Sequence, residues 1–170
     1  MYLDWTLDWR TLEIWLFKDN EYDGYISGGV IEHLLEGYET ILSEMKRVIN
    51  PGGFLFLSFP YMSPTRKLKA AIMIYQCHFS NELEQEKHKF YQFALHIDKV
   101  LVDLREPGFD PKQIKTFDGI KGFKDELTWL KPVLQPIYDG KILQRIRPLL
   151  DVIFKPLASH CALLVLRNEK

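Results

Sequence analysis

The 170-residue chain has only two cysteines, Cys77 and Cys161. So few, so far apart, exclude a disulfide framework, and no Cys/His spacing fits a structural zinc site. A reducing cytoplasm is the compartment this implies. Neither sign of charge is in excess: 22 Lys and Arg against 23 Asp and Glu leave a formal net charge of −1. That balance argues against nucleic acid as a partner. No apolar run reaches membrane-spanning length, and Asp4 and Asp8 interrupt the stretch where the apolar core of a secretory leader would lie. There is no repeat of solenoid period and no low-complexity linker. No G-x-G-x-x-G or P-loop pattern occurs anywhere, which argues against a nicotinamide-dependent oxidoreductase and against a nucleotide phosphate cradle at the glycines around Asp118–Lys124. Glu84 and His88 stand one helical turn apart, but no third ligand lies near, so no metal is expected.

What is present is apolar and aromatic. Hydrophobic residues make up 46% and aromatics 14%, in a chain long enough for one domain with a sizeable core. The chain is organised around Tyr22–Pro60. Tyr22–Ser27 reads as a short strand, and Gly28-Gly29 lets the backbone turn. From Glu36 the period changes: Tyr38, Ile41, Leu42, Met45, Val48 and Ile49 form one helical stripe. Asn50-Pro51-Gly52-Gly53 should end that helix. Phe54–Phe59 is then apolar at five positions of six, as expected of a parallel strand buried on both faces. The unit is βαβ, with the strands at Tyr22 and Phe54 adjacent and parallel.

Asp23, Ser27, Gly29, Val30, Glu32 and His33, followed by Val48, Pro51, Gly52 and Gly53, fit D-x-x-x-S-x-G-V-x-E-H and V-x-x-P-G-G. In this order, separated by one helix, the two fragments resemble class I S-adenosylmethionine-dependent methyltransferases of the type 11-like group. The resemblance implies an α/β, Rossmann-like sheet and S-adenosylmethionine as cofactor. It implies that Ser27, Gly28, Gly29 and Val30 line the cofactor, and that an acid before the first strand, Asp8 with Asp4 as competitor, accepts from the adenine amino group. His33 is the candidate base, with loop orientation or helix capping as its alternative role. Tyr61 after the second strand, and Tyr91 and Gln92 in a later aromatic-Gln-aromatic run, are the candidate substrate contacts.

The family's glycine-rich strand-turn-helix has no counterpart before Tyr22, and a βαβ unit needs roughly thirty residues or more. The expectation is a single, N-terminally truncated domain over 1–170, with helical insertions before and after the sixth strand. Residues 1–60 are the remnant of the cofactor half, 61–96 and 125–159 are lid or insertion segments, and 97–124 with 160–170 complete the sheet. Such a chain should bind S-adenosylmethionine weakly or not at all and be inactive alone. Its exposed sheet edge should favour self-association.

Lys67–Cys77 reads as a lid helix, and Ile97, Val100, Leu101 and Leu104 as a second core stripe ended by Pro107-Gly108. Gln113–Phe117 alternates as a strand, and Asp118–Lys124 reads as a loop. In 125–159, short helices are expected between Pro132, Pro136, Pro148 and Pro156. Leu143, Ile146, Leu149, Leu150, Ile153 and Phe154 should pack over the site; membrane contact is the less favoured alternative. Cys161–Leu166 should be a final antiparallel strand. The function expected is methyl transfer to a small-molecule acceptor. A non-catalytic, methyltransferase-like interaction or regulatory module is the alternative.

Overall fold

The computed structural model describes residues 17–34, 37–72, 92–140 and 145–169. Asp8, Tyr91, Glu84, His88 and Leu143 lie outside the described residues. The framework is a four-stranded sheet of β1 (Tyr22–Gly28), β2 (Ile49–Pro60), β3 (Phe109–Phe117) and β4 (Cys161–Asn168), in the order β1-β2-β4-β3. β1 and β2 are parallel, whereas β4 is antiparallel to both neighbours and inserts between β2 and β3. Both expectations for strand direction hold.

Helix α1 (Glu39–Val48) crosses from β1 to β2 and buries Leu42, Met45 and Val48. α3 (Ile97–Arg105) adds Val100 and Leu104. These side chains pack with Leu55, Leu57 and Phe59 of β2 and Ala162, Leu164 and Leu166 of β4 in one core. The stripes read at three- and four-residue spacing are therefore the buried faces. Tyr38, just before α1, donates its hydroxyl to Asp103 Oδ2 at 2.6 Å and so ties α1 to α3. Lys46 is buried at the far end of the sheet. Its Nζ donates to Asn168 Oδ1 and to the carbonyl of Gly108 at 2.8 Å, while Asn168 Nδ2 donates to Ile49 O at 2.8 Å.

β2 differs from its sequence reading in two ways. It begins at Ile49, so Asn50–Gly53 lies within the strand as an irregularity: Tyr22 pairs with Ile49, and the next partners are Gly24 and Phe54. Gly53 makes this possible. A Cβ there would stand 2.8 Å from Asp23 O and 2.7 Å from Ile49 Cγ2, closer than any side chain tolerates. Secondly, only one face of β2 is covered. Ile26 (82% exposed) pairs with Phe56 (37%), and Phe56 pairs with Val165, so an apolar row crosses the open face. The unbroken apolar run of Phe54–Phe59 does not report two buried faces here.

β3 is longer than expected, starting at Phe109, and accommodates Pro111 at a bulge on the sheet edge, where a missing N–H is tolerated. The segment read as a loop at Asp118–Lys124 is helix α4 (Gly119–Glu126). Its glycines serve helix contact rather than turning. A Cβ at Gly122 would fall 1.5 Å from Ala158 O, and one at Gly119 2.5 Å from Asp151 O, both on α6 (Arg147–Ala158). The prolines lie in the helices rather than between them. Pro132 and Pro148 occupy first turns of α5 (Lys131–Tyr138) and α6, and Pro136 and Pro156 lie inside. α4, α5 and α6 share a second, smaller core around Ile120, Leu134 and Ile137, with Phe123 stacked on Phe154 at 4.6 Å.

α2 (Pro64–Ala71) is capped by Ser63, whose Oγ accepts from Arg66 N, and its C-cap is Ile72. Residues 73–77 of the expected lid helix lie outside the described residues. Ile146, Leu149 and Ile153 do not pack over the site as expected: they are 37%, 61% and 54% exposed. Among the described residues of that set, Leu150 and Phe154 pack inward, against the second core.

Candidate active site

Open α/β sheets bind ligands at the carboxyl ends of their parallel strands. Here that edge is formed by the ends of β1 and β2, and the chain gathers its unusual polar groups there. β1 ends at Gly28, whose neighbour Gly29 has φ 72° and donates its N–H to Ser58 O at 3.0 Å. This left-handed conformation suits glycine. Gly28 has no such requirement, since a Cβ there would make ordinary contact, 3.7 Å from Ser58 Oγ. The chain then enters a 3-10 turn, Ile31–His33, with Ile31 fully buried beneath it.

Two buried side-chain oxygens in this stretch have no hydrogen-bond partner among the described residues: Ser27 Oγ and Glu32 Oε2. Ser27 is 3% and Glu32 2% exposed. They are the only such atoms among the described residues, and they lie five positions apart around the glycine turn. Buried polar groups are otherwise paired throughout proteins, and an orphan asks for an explanation. Desolvation pushes the Glu32 carboxyl above its usual range, opposed by its own backbone N–H and by His33. Burial of this kind disfavours the charged carboxylate relative to one in water, and a donor or a cation reaching it would oppose that. His33 and Val30 are exposed beside it.

Gln92 is brought to the same edge. Phe93 N donates to Glu32 O at 2.8 Å, and Leu95 bridges Tyr61 in parallel, with Leu95 N donating to Pro60 O at 2.9 Å and Met62 N to Leu95 O at 2.8 Å. Residues 92–95 therefore close over the ends of β1 and β2. Tyr61 is not an exposed loop residue. It is 8% exposed, and burial pushes its phenol up, opposed by the nearby Ser159 and Thr116.

Behind Tyr61 lies a buried charged cluster that has no local signature in the sequence. Arg66 Nε donates to Glu126 Oε1 at 2.7 Å, and its Nη1 donates to Tyr61 O at 2.8 Å and His160 O at 3.1 Å. Lys69 Nζ meets Glu126 Oε2 at 2.9 Å. The His160 ring lies between Arg66 Nη2, 3.1 Å from Nδ1, and Lys121 Nζ, 2.7 Å from Nε2. A neutral imidazole accepts one of these contacts, and a protonated one accepts neither. Burial first, then Lys121 and Arg66, push its pKa down to about 4. The cluster fastens α2 and α4 to the ends of β2 and β4, and so fixes the position of Tyr61.

Residues 8–57 match a family model described as a methyltransferase domain. That match covers under a third of the chain, and over that stretch the chain is similar to a methyltransferase domain. The methyltransferase segment so matched runs from Asp8 through β1, the glycine turn and α1 to Leu57 of β2. Among solved structures, an S-adenosylmethionine-dependent methyltransferase from Archaeoglobus fulgidus superposes with a TM-score of 0.51 at 15% identity, over 89% of this chain and 61% of that one. A second, from Mesorhizobium loti, gives 0.49 at 12% identity over 89% and 63%. Phosphoethanolamine N-methyltransferase 2 of Haemonchus contortus, in complex with S-adenosyl-L-methionine, gives 0.48 at 14% over 91% and 35%. The chain thus spans less than two thirds of each of these proteins. At these identities the likeness is one of fold. No curated protein sequence matches the chain.

The methyltransferase-like sequence pattern spans this turn but assigned no role to Glu32, although Glu32 stands within it. Arg66, Glu126 and His160 were missed altogether. Arg66 and Glu126 are sixty positions apart, and only the packing of α2 on α4 unites them. No helix of the described residues is long and apolar enough to cross a membrane, and the same residues hold no group of three or more candidate metal ligands.

Proposed function

We propose that the chain carries the acceptor side and part of the donor side of an S-adenosylmethionine-dependent methyltransferase site. The observation that carries this reading is the pair of orphaned polar atoms, Ser27 Oγ and Glu32 Oε2, at the glycine turn that ends β1. These residues fit the group. The exposed backbone of Gly28 and Gly29 permits close approach, the hydroxyl and carboxyl offer unpaired acceptors, and a buried carboxyl complements a cationic donor. When bound, S-adenosylmethionine supplies a methyl group already activated by positive charge.

The chain's own work is then positioning and proton removal. Ser27, Gly28, Gly29 and Val30 hold the donor side, and Asp8 would complete it. His33, exposed beside Glu32, is the candidate base for the acceptor proton. Tyr61 and Gln92 at the closed edge, with Tyr91, form the acceptor side, and the acceptor is a small molecule. Donor affinity of this chain alone is expected to be weak. Among the described residues β1 stands at the edge of the sheet, and no strand of these residues pre-organises the site from that side.

Titration of S-adenosylmethionine into the purified chain, followed by calorimetry and amide chemical shifts, tests this. Weak, saturable shifts centred on Ser27–His33 are expected. A dissociation constant in the low micromolar range from a monodisperse monomer would overturn the weak-binding part and make the site complete. Absence of any shift there favours a second reading, an interaction module. What supports that reading is the open apolar row of Ile26, Phe56 and Val165 together with the edge of β1, which pairs with no further strand among the described residues and also suits self-association.

A further inference from the structure

Helix α6 is apolar on both sides. Its inward face places Leu150 and Phe154 in the second core, and Asp151 accepts from Ile120 N at 3.1 Å. Its outward face carries Leu149, Val152, Ile153 and Leu157, at 61%, 66%, 54% and 56% exposure. These positions follow i, i+3, i+4 and i+8, which makes one continuous stripe. α2 lies alongside, with Thr65 Oγ1 donating to Leu157 O at 2.8 Å, and contributes Leu68 (64% exposed) and Ile72 (56%) one turn apart. Isolated exposed leucines need no explanation, but six large apolar side chains on two adjoining helices do.

The charge around the stripe selects its partner. Residues 64–72 contain Arg66, Lys67 and Lys69 and no acid, and residues 145–158 contain Arg145, Arg147 and Lys155 with Asp151 as the one acid. Arg66 and Lys69 are taken up by Glu126, and Asp151 is turned toward α4. Arg147 lies over the Tyr138 ring at 4.7 Å, and Lys67 and Arg145 remain exposed, with Lys155 half-buried, as a basic surround on a chain whose net charge is −1. An apolar stripe with a basic surround matches the boundary between anionic headgroups and acyl chains. We propose that α2 and α6 form a docking surface for an anionic lipid membrane. α2 directly follows the end of β2, so the surface adjoins the candidate active site.

Co-sedimentation of the full chain with vesicles tests the proposal without reference to methyl transfer. The chain is expected to pellet with vesicles of phosphatidylcholine containing phosphatidylglycerol, and at least about fivefold less with phosphatidylcholine alone or in roughly 0.5 M salt. Leu149→Glu with Ile153→Glu should abolish pelleting, and Lys67→Glu with Arg145→Glu should reduce it to the phosphatidylcholine level. Circular dichroism and thermal melts establish that both double variants are folded, and the second changes only surface charge. Pelleting without vesicles, equal pelleting on both compositions, or no pelleting on either would overturn the proposal. So would a dimer in light scattering that Leu149→Glu dissolves, since the stripe would then belong to a second copy.

Discussion

His160 makes the lid sensitive to acid. Its pKa is about 4 in the folded chain against 6.5 unperturbed, because the ring is buried between Arg66 and Lys121. Between those two values the unfolded chain binds a proton that the folded chain does not. Stability therefore rises with pH across this window, is complete above pH 6.5, and is lost as pH falls toward 4. A window of about 2.5 pH units, at ~1.36 kcal/mol per unit, amounts to about 3 kcal/mol. That is a large share of the ~5–15 kcal/mol that stabilises an ordinary domain. His160→Asn isolates the effect, since the amide oxygen can accept from Arg66 as Nδ1 does but does not titrate. Urea denaturation at pH 7, 6, 5 and 4 should show the wild type losing about 3 kcal/mol more than His160→Asn over that range, with equal m-values. Parallel losses in the two proteins would refute the assignment of a neutral His160 wedged between two cations.

Glu32→Gln should raise Tm at pH 7 and leave it unchanged near pH 4. The folded pKa is raised by desolvation, so the carboxylate opposes folding as pH rises and the isosteric amide does not; a lower Tm at pH 7 would mean the carboxylate has a partner. Gly122→Ala should cost about 3 kcal/mol or more in thermal or urea unfolding, because α4 must move off Ala158 O to admit the methyl group. A change below about 0.5 kcal/mol would show that the two helices are not in contact.

The sequence by itself determined the central βαβ unit. The helical stripe of α1, the glycine turn and the antiparallel last strand all follow from periodicity and from what glycine and proline permit, which are local properties. The same locality explains what it misread. Gly119 and Gly122 look like loop residues until α6 is laid within contact of them, and then they are the only residues that fit. Pro156 looks like a boundary, yet α6 runs through it. Phe54 and Phe56 carry the same apolar signal as Leu55 and Leu57, and only the placement of α1 and α3 on one face decides which pair is buried. The site divides along the same line. Ser27, Gly29 and His33 of the candidate site stand in one short turn, so a local pattern can single them out. Glu126 and His160 reach Arg66 from sixty and ninety-four positions away, and that meeting is a fact of packing, which no local pattern encodes.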